Sequence, residues 1–133
     1  MSKSIGAGLA LFCGLTCGDV LAQSPKQFSG VAAYYSKDYA GRTARGDRYD
    51  PNKFTAAHRS LPFGTRLRVT DPKSRRSVTV VVNDRGPFTK GRVLDLSLAA
   101  AKALHMIDRG LLHVTAVIEP PANFTTATIP ARP

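Results

Sequence analysis

The sequence predicts a mainly β protein, a small closed β barrel with one or two short helices. Five or six short runs rich in Val, Ile, Leu and Tyr are separated by Gly, Pro, Asp and Asn, the alternation of strand and turn chemistry expected of an all-β domain. One segment alone, rich in Ala, has strong helix composition, and no internal repeat of useful period is present. The 133 residues make one domain, and 43% hydrophobic content is enough to bury a core. Closure into a barrel suits this inventory because it removes exposed strand edges. Spacing and composition leave the strand order open.

Residues 1–22 are set apart from that domain. Met1-Ser2-Lys3 is a short basic start, Ile5 to Leu15 is apolar and small, and Val20-Leu21-Ala22 supplies small residues before an expected cut at Gln23, the layout of a secretory signal peptide. The apolar run is short for a bilayer span and is interrupted by Gly8 and Gly14. Cys13 and Cys17 both fall inside it, so the processed chain is expected to lack thiols and disulfides. Lipid anchoring at Cys17 is the alternative, but Leu15-Thr16-Cys17 is a poor lipidation site, with Thr larger than the residue expected before the cysteine. A membrane partner is therefore expected only if Cys17 is lipidated.

Residues 23–29 are polar and expected to be flexible, with the barrel domain over residues 30–119. Gly30-Val-Ala-Ala-Tyr-Tyr35 has first-strand composition. Lys37 to Asp50 has no period and is punctuated by Gly41 and Gly46, which marks a long loop of functional type. Asp50-Pro51 offers a cap followed by a first helical position, so one short helical turn is expected toward Ala57. Leu61-Pro-Phe-Gly64 is a turn, and Thr65 to Thr70 alternates as a strand with Leu67 and Val69 inward. Asp71-Pro-Lys-Ser74 makes a hairpin turn into a Val-rich strand from Arg76 to Asn83.

A second short apolar run stops at Asp95, and the Ser97 hydroxyl caps a helix through Leu98-Ala-Ala-Ala-Lys-Ala-Leu104. Gly110 ends that region. Leu112 to Glu119 alternates as the last strand, Pro120-Pro121 stops it, and residues 120–133 are expected to be a disordered Pro/Thr-rich tail.

The formal net charge is +10, and from Arg42 to Arg92 thirteen Lys or Arg stand against four Asp. Such one-sided charge favours a polyanionic partner. Export argues against nucleic acid and leaves anionic lipid or an anionic wall polymer.

Thiol catalysis and thiolate metal sites are excluded from the processed chain, and the three His show no metal-ligand spacing, so neither metal nor cofactor is expected. Glu119 is the lone glutamate, so carboxylate chemistry falls to Asp. Asp71 belongs to the hairpin, Asp38 and Asp108 to loops, and Asp50 in part to a cap, which leaves Asp47, Asp84 and Asp95. Asn83-Asp-Arg-Gly-Pro87 is good turn chemistry without any substrate, and Asp95 serves equally well as a carboxylate fixing a strand-to-helix junction through the backbone donors of Leu96 to Leu98. One physical argument raises Asp84: at the end of a valine strand, beside Val82 and Phe88, desolvation keeps a carboxyl protonated as a general acid. Arg85 opposes this if its guanidinium folds back. His58 stands out from His105 and His113 because it follows the polar loop bearing Asp47 and Asp50.

Six ordered motifs resemble the rare lipoprotein A family: Gly30-Val-Ala-Ala-Tyr-Tyr, Thr43-Ala-Arg-Gly-Asp-Arg-Tyr-Asp50, Phe54-Thr-Ala-Ala-His58, Leu61 to Thr70, Val82-Asn-Asp-Arg-Gly-Pro-Phe88 and Gly91-Arg-Val-Leu-Asp-Leu-Ser97. The resemblance implies a six-stranded double-psi β barrel, related to expansins, and a place in the bacterial envelope or periplasm. It also implies lytic transglycosylase action on peptidoglycan glycan strands, preferably lacking stem peptides. On matching positions, Asp84 falls at the proposed catalytic acid, with Asp95 and His58 as further catalytic candidates. Asp47, Asp50, Tyr34, Tyr35 and Arg85 are the substrate-binding candidates, the two tyrosines as a flat face for sugar rings. Asp47 stands where the family usually has Glu, one methylene longer. The chain is expected to act as a monomer on glycan strands, with no nucleic-acid partner. Two rivals stand beside the lytic reading: a non-catalytic, expansin-like wall-binding module, and a hydrolase using Asp84 as acid and Asp95 as base.

Overall fold

A computed structural model describes residues 25–120; the expected signal peptide with Cys13 and Cys17, and the expected tail from residue 121, lie outside them. The fold is built on alternation. Leu67 and Val69, Val80 and Val82, Leu94 and Leu96, and Val114 and Ala116 are fully buried in alternating pairs along four strands, and Ala32 and Ala56 complete the wall. These side chains fill one barrel interior, with Leu104 and Met106 packed into the same core.

Six strands and one helix make up the described chain: β1 (Gln27–Tyr34), β2 (Thr55–Ala57), β3 (Arg66–Thr70), β4 (Ser77–Asp84), β5 (Arg92–Leu96), α1 (Leu98–Ala103) and β6 (Leu112–Glu119). They close in the order β1-β5-β2-β4-β3-β6. Two pairs are parallel, β1 with β5 and β2 with β4, and the other four contacts are antiparallel. A mainly β closed barrel of six strands with a short helix is what the sequence predicts.

Two local expectations are corrected. The first strand begins at Gln27 rather than Gly30, because Gln27, Phe28 and Ser29 pair with Val117, Ala116 and Thr115 of β6; the polar stretch expected to be flexible is zipped to a neighbour. The helical turn expected from Pro51 toward Ala57 is a tight turn that gives way to β2. Asp50 Oδ1 accepts from Asn52 N–H at 2.9 Å, and Thr55 to Ala57 is then captured between β4 and β5. Three residues carry too little local signal to be read as a strand without those neighbours.

The other elements follow their local chemistry. Ser97 Oγ accepts from Ala100 N–H at 3.3 Å and from Thr55 N–H at 3.2 Å, so one hydroxyl caps α1 and anchors the entry to β2. Asp71 closes the β3–β4 hairpin by accepting from Lys73 N–H and Ser74 Oγ. Gly30 is required by proximity: a Cβ there would stand 2.5 Å from Val93 Cγ1.

Candidate active site

Barrel register builds the site. Reading across four adjacent strands, Ala33 pairs with Asp95, Asp95 with Ala57, and Ala57 with Asp84. Leu94 and Leu96 point into the core, so Asp95 between them points outward. The register shift between β2 and β4, which pairs Ala56 with Val82 but Ala57 with Asp84, turns Asp84 out of the alternation of Val80 and Val82, so carboxylates and alanines alternate in one row on the outside of the wall, with β2 between the two acids. Strands spaced about 4.8 Å apart put the Asp84 and Asp95 backbones roughly 10 Å from each other. The small Ala33 and Ala57 keep the floor low.

The loop from Ser36 to Tyr49 folds over one side of this row. Its tip is a small antiparallel turn in which Arg42 bridges Arg48, Thr43 N–H donates to Asp47 carbonyl, and Gly46 takes a φ of 106° that glycine alone adopts readily. The tip is tied to the end of β4, since Arg45 N–H donates to Asn83 carbonyl and Ala44 N–H donates to Asp84 Oδ1 at 2.7 Å. Behind it, the rings of Tyr35, Tyr39 and Tyr49 pack together with centroids 4.6 to 5.5 Å apart. Tyr49 is nearly buried, and its hydroxyl accepts from Leu98 N–H at the start of α1.

Asp84 is the most constrained acid of the site. Oδ1 accepts from Ala44 N–H and from Arg85 N–H at 2.8 Å, while Oδ2 meets the Tyr35 hydroxyl at 2.5 Å. Burial first, then the bond to Asp84 and the charges of Asp84 and Asp95, push the Tyr35 hydroxyl well above the ordinary tyrosine range. Tyr35 thus stays protonated. Three donors, the N–H groups of Ala44 and Arg85 on Oδ1 and the Tyr35 hydroxyl on Oδ2, therefore converge on the Asp84 carboxylate and fix its orientation.

Around Asp84, the expected desolvation by Phe88 is absent, and the open question of Arg85 is settled away from the carboxylate. Phe88 does not desolvate it, being 82% exposed. Arg85 does not fold back onto it: its guanidinium donates to Leu61 carbonyl at 2.7 Å and His58 carbonyl at 3.3 Å, with Phe63 as a cation–π partner at 4.0 Å. Arg59 makes the converse crossing and donates to the carbonyls of Pro87, Thr89 and Arg92.

Asp95 is half-buried and ion-paired with Arg92 at 2.5 Å, so the proposed fixing of the strand-to-helix junction through Leu96 to Leu98 is not its role. His58 touches Asp84 only through the backbone, its N–H donating to Asp84 carbonyl at 3.1 Å. Its ring packs on Phe28 and its Nδ1 accepts from the N–H groups of Ser60 and Leu61, which places the proton of the neutral ring on Nε2. Burial, then Arg85 and Arg59, hold the imidazole below the ordinary histidine value. It lines a cavity of about 260 Å³ with Phe28, Arg59, Ser60, Arg92 and Val93.

The remaining candidates disperse. Asp47 is exposed and within 3.9 Å of Arg45 alone, and Asp50 caps its own turn. Tyr34 and Tyr35 do not form a shared sugar platform: successive strand residues point to opposite sides, and the Tyr34 hydroxyl donates to Ile107 carbonyl at 2.7 Å, away from Asp84. Sequence reasoning missed Tyr49, Arg59, Arg92 and the Ala44 N–H. Only Tyr49 carried a local signal, a second aromatic in a polar loop. Among the described residues no group of three His, Cys, Asp or Glu could hold a metal ion, and no helix is long and apolar enough to cross a membrane.

A closed six-stranded barrel in the order β1-β5-β2-β4-β3-β6 with two parallel pairs is of the double-psi β-barrel class, and here it carries the outward carboxylate row under the tyrosine-backed loop. The chain belongs to the lytic transglycolase family of that class, whose model matches residues 27–116, in line with the motif resemblance. It is 57% identical over 90 residues to a probable endolytic peptidoglycan transglycosylase RlpA of Nostoc sp., covering 65% of this chain and 24% of that protein. The corresponding figures for the probable endolytic peptidoglycan transglycosylase RlpA of Aquifex aeolicus are 48% over 100 residues, covering 74% and 44%. The chain thus spans less than half the length of these curated relatives. Among solved structures, an apo expansin of Clavibacter michiganensis superposes with a TM-score of 0.58 at 25% identity, covering 72% of this chain and 52% of that one. A Streptomyces papain inhibitor shares the fold, with a TM-score of 0.59 at 24% identity over 71% and 96%.

Proposed function

We propose that this chain is an exported lytic transglycosylase that cuts peptidoglycan glycan strands, preferably without stem peptides, and leaves 1,6-anhydro-muramyl ends, with Asp84 as general acid and then base. The observation that carries this reading is the fixing of one carboxylate, Asp84, at the end of β4, where the Tyr35 hydroxyl and the N–H groups of Ala44 and Arg85 orient it beside the outward row. The names of the relatives support the substrate class, and the expected signal peptide supports export to the periplasm or envelope.

In this mechanism Asp84, as general acid, gives a proton to the glycosidic oxygen as the bond to the muramyl C1 breaks. The muramyl C6 hydroxyl then forms the new bond to C1 and returns its proton to Asp84, so the enzyme ends as it began. General acid–base help of this kind is worth about a hundred- to ten-thousandfold. Tyr35 donates to the ionised carboxylate between the two transfers. No second carboxylate is needed to activate water, because the attacking hydroxyl belongs to the substrate; Asp95, paired with Arg92, positions the floor of the groove. Phe88, exposed beside Gly86, offers the flat apolar face first assigned to Tyr34 and Tyr35.

A non-catalytic reading draws on one observation, the similarity to an expansin of which a single-site variant was solved in complex with cellohexaose. Incubating the protein with peptide-free glycan strands and weighing the products by mass spectrometry separates the readings. Anhydro ends are expected; reducing ends would mean hydrolysis, and binding without products would leave a wall-binding module. Asp84→Asn should abolish cutting and keep binding, and normal cutting by that variant would remove Asp84 from its role.

A further inference from the structure

The β3–β4 hairpin carries a charge cluster that the groove does not use. Lys73, Arg75 and Arg76 are all exposed within one turn of the chain, and a shallow cavity of about 170 Å³ joins Lys73 to Arg109, Leu111 and His113. Ser77 at the base of this hairpin and Asp84 are opposite ends of β4, seven residue steps or roughly 23 Å apart. The cluster is therefore a separate surface.

Its acids do little to neutralise it. Asp71 is 4% exposed and consumed by the turn, accepting from Lys73 N–H and Ser74 Oγ. Asp108 is the exposed acid beside Arg109, and among the described residues none of Lys73, Arg75, Arg76 and Arg109 forms an ion pair. The turn is also rigid, since Asp71 N–H donates to Arg76 carbonyl and Arg75 N–H to Asp71 carbonyl. Arg75 stands at a φ of 65°, a left-handed position where Gly or Asn is the usual residue. A long cation stands where the backbone favours a small residue. Next to these charges, Leu111 is 53% exposed. A soluble polyanion gains nothing from that leucine, whereas a lipid surface takes cations at its headgroups and a leucine at the acyl boundary.

We propose that this end of the barrel docks on an anionic phospholipid surface, with Lys73, Arg75, Arg76 and Arg109 at the headgroups and Leu111 inserted among them, leaving the carboxylate row free. The test is sedimentation of the full chain with phosphatidylcholine vesicles with and without phosphatidylglycerol, against a chain carrying Lys73→Gln, Arg75→Asn and Arg76→Gln. Asn suits the left-handed position, so the turn survives, and a matching thermal melt verifies it. Residues 1–24 are common to both chains and cancel in the comparison. Binding should require phosphatidylglycerol, fall with salt, and drop about a hundredfold in the triple variant, at roughly fivefold per cation near the surface. Leu111→Ser should weaken vesicle binding while leaving binding to inorganic polyphosphate unchanged. Equal partition of the triple variant would overturn the proposal, as would equal binding to neutral vesicles. An effect of the triple variant on polyphosphate with none of Leu111→Ser on vesicles would assign the surface to a soluble polyanion instead.

Discussion

Arg59 and Arg85 cross over one another's loops: Arg85 donates to the carbonyls of His58 and Leu61, and Arg59 donates to those of Pro87, Thr89 and Arg92. Each guanidinium thus holds the segment that carries the other, and both segments adjoin Asp84. Five backbone carbonyls are bound by two side chains, which is fork geometry that a single ammonium cannot reproduce. Arg85→Lys is therefore expected to cost about 1–2 kcal/mol although the charge is kept, since hydrogen bonds from a charged donor are worth about 1.5–3 kcal/mol and this one is partly solvated. Urea unfolding should show a lower midpoint with an unchanged slope. A midpoint equal to that of the parent would mean that charge alone holds the loops.

Tyr35→Phe isolates the hydroxyl from the ring. The ring packs on Tyr39 and Tyr49, so the variant should fold, while the loss of a hydrogen bond to a charged group is expected to lower the proposed glycan cutting roughly ten- to a hundredfold. Stability should respond in the alkaline range. Burial and Asp84 raise the Tyr35 hydroxyl above its ordinary value of 10.0, so its contribution is complete below that pH and is lost as pH rises beyond it, where the unfolded chain ionises first. Melting temperature should then fall less steeply above about pH 10 in Tyr35→Phe than in the parent. Identical slopes would detach Tyr35 from the Asp84 charge.

The barrel was legible in the chain because its long strands alternate. Leu67 and Val69 declared their facing locally, as did the run from Leu112 to Glu119. The short β2 did not, because Thr55 to Ala57 becomes a strand only through partners 26 to 40 residues away. The site divides in the same manner. Asp84 and Asp95 stood out as acids ending apolar runs and by family resemblance. Their alternation with Ala33 and Ala57 depends on strand order, which spacing does not encode. The ion pair of Arg92 with Asp95 and the turning of Arg85 toward Phe63 are choices among several reachable partners, settled by the tertiary fold.

His58 supplies an acid-range test. Burial, Arg85 and Arg59 hold its folded pKa below the ordinary 6.5, so the unfolded chain takes up a proton first as pH falls. The stability from neutral His58 is present above about pH 6.5 and is lost as pH drops through that value toward the folded pKa. His58→Asn keeps a side-chain acceptor near the N–H groups of Ser60 and Leu61 but does not titrate. Thermal melts of that variant should therefore be flatter than those of the parent just below pH 6.5. A parent curve without a decline there would place the His58 ring in solvent.

The contact of Gly30 with Val93 gives the most direct test of the barrel itself. An added Cβ at Gly30 would lie 2.5 Å from Val93 Cγ1 and 3.0 Å from Cγ2, well inside van der Waals contact, and β1 is zipped to β6 at this position while pairing with β5 directly after it. The strand cannot retreat without breaking a ladder. Gly30→Ala is thus expected to destabilise by about 1–3 kcal/mol, the usual range for overpacking. Val93→Ala removes both offending methyls from a partly buried side chain and should cost less alone. Together the two substitutions should recover most of the loss, a coupling of about 1 kcal/mol or more between residues in contact. A double-mutant cycle by urea unfolding reads this directly. Additive losses would mean that Gly30 is needed for its backbone freedom rather than for the space that Val93 occupies.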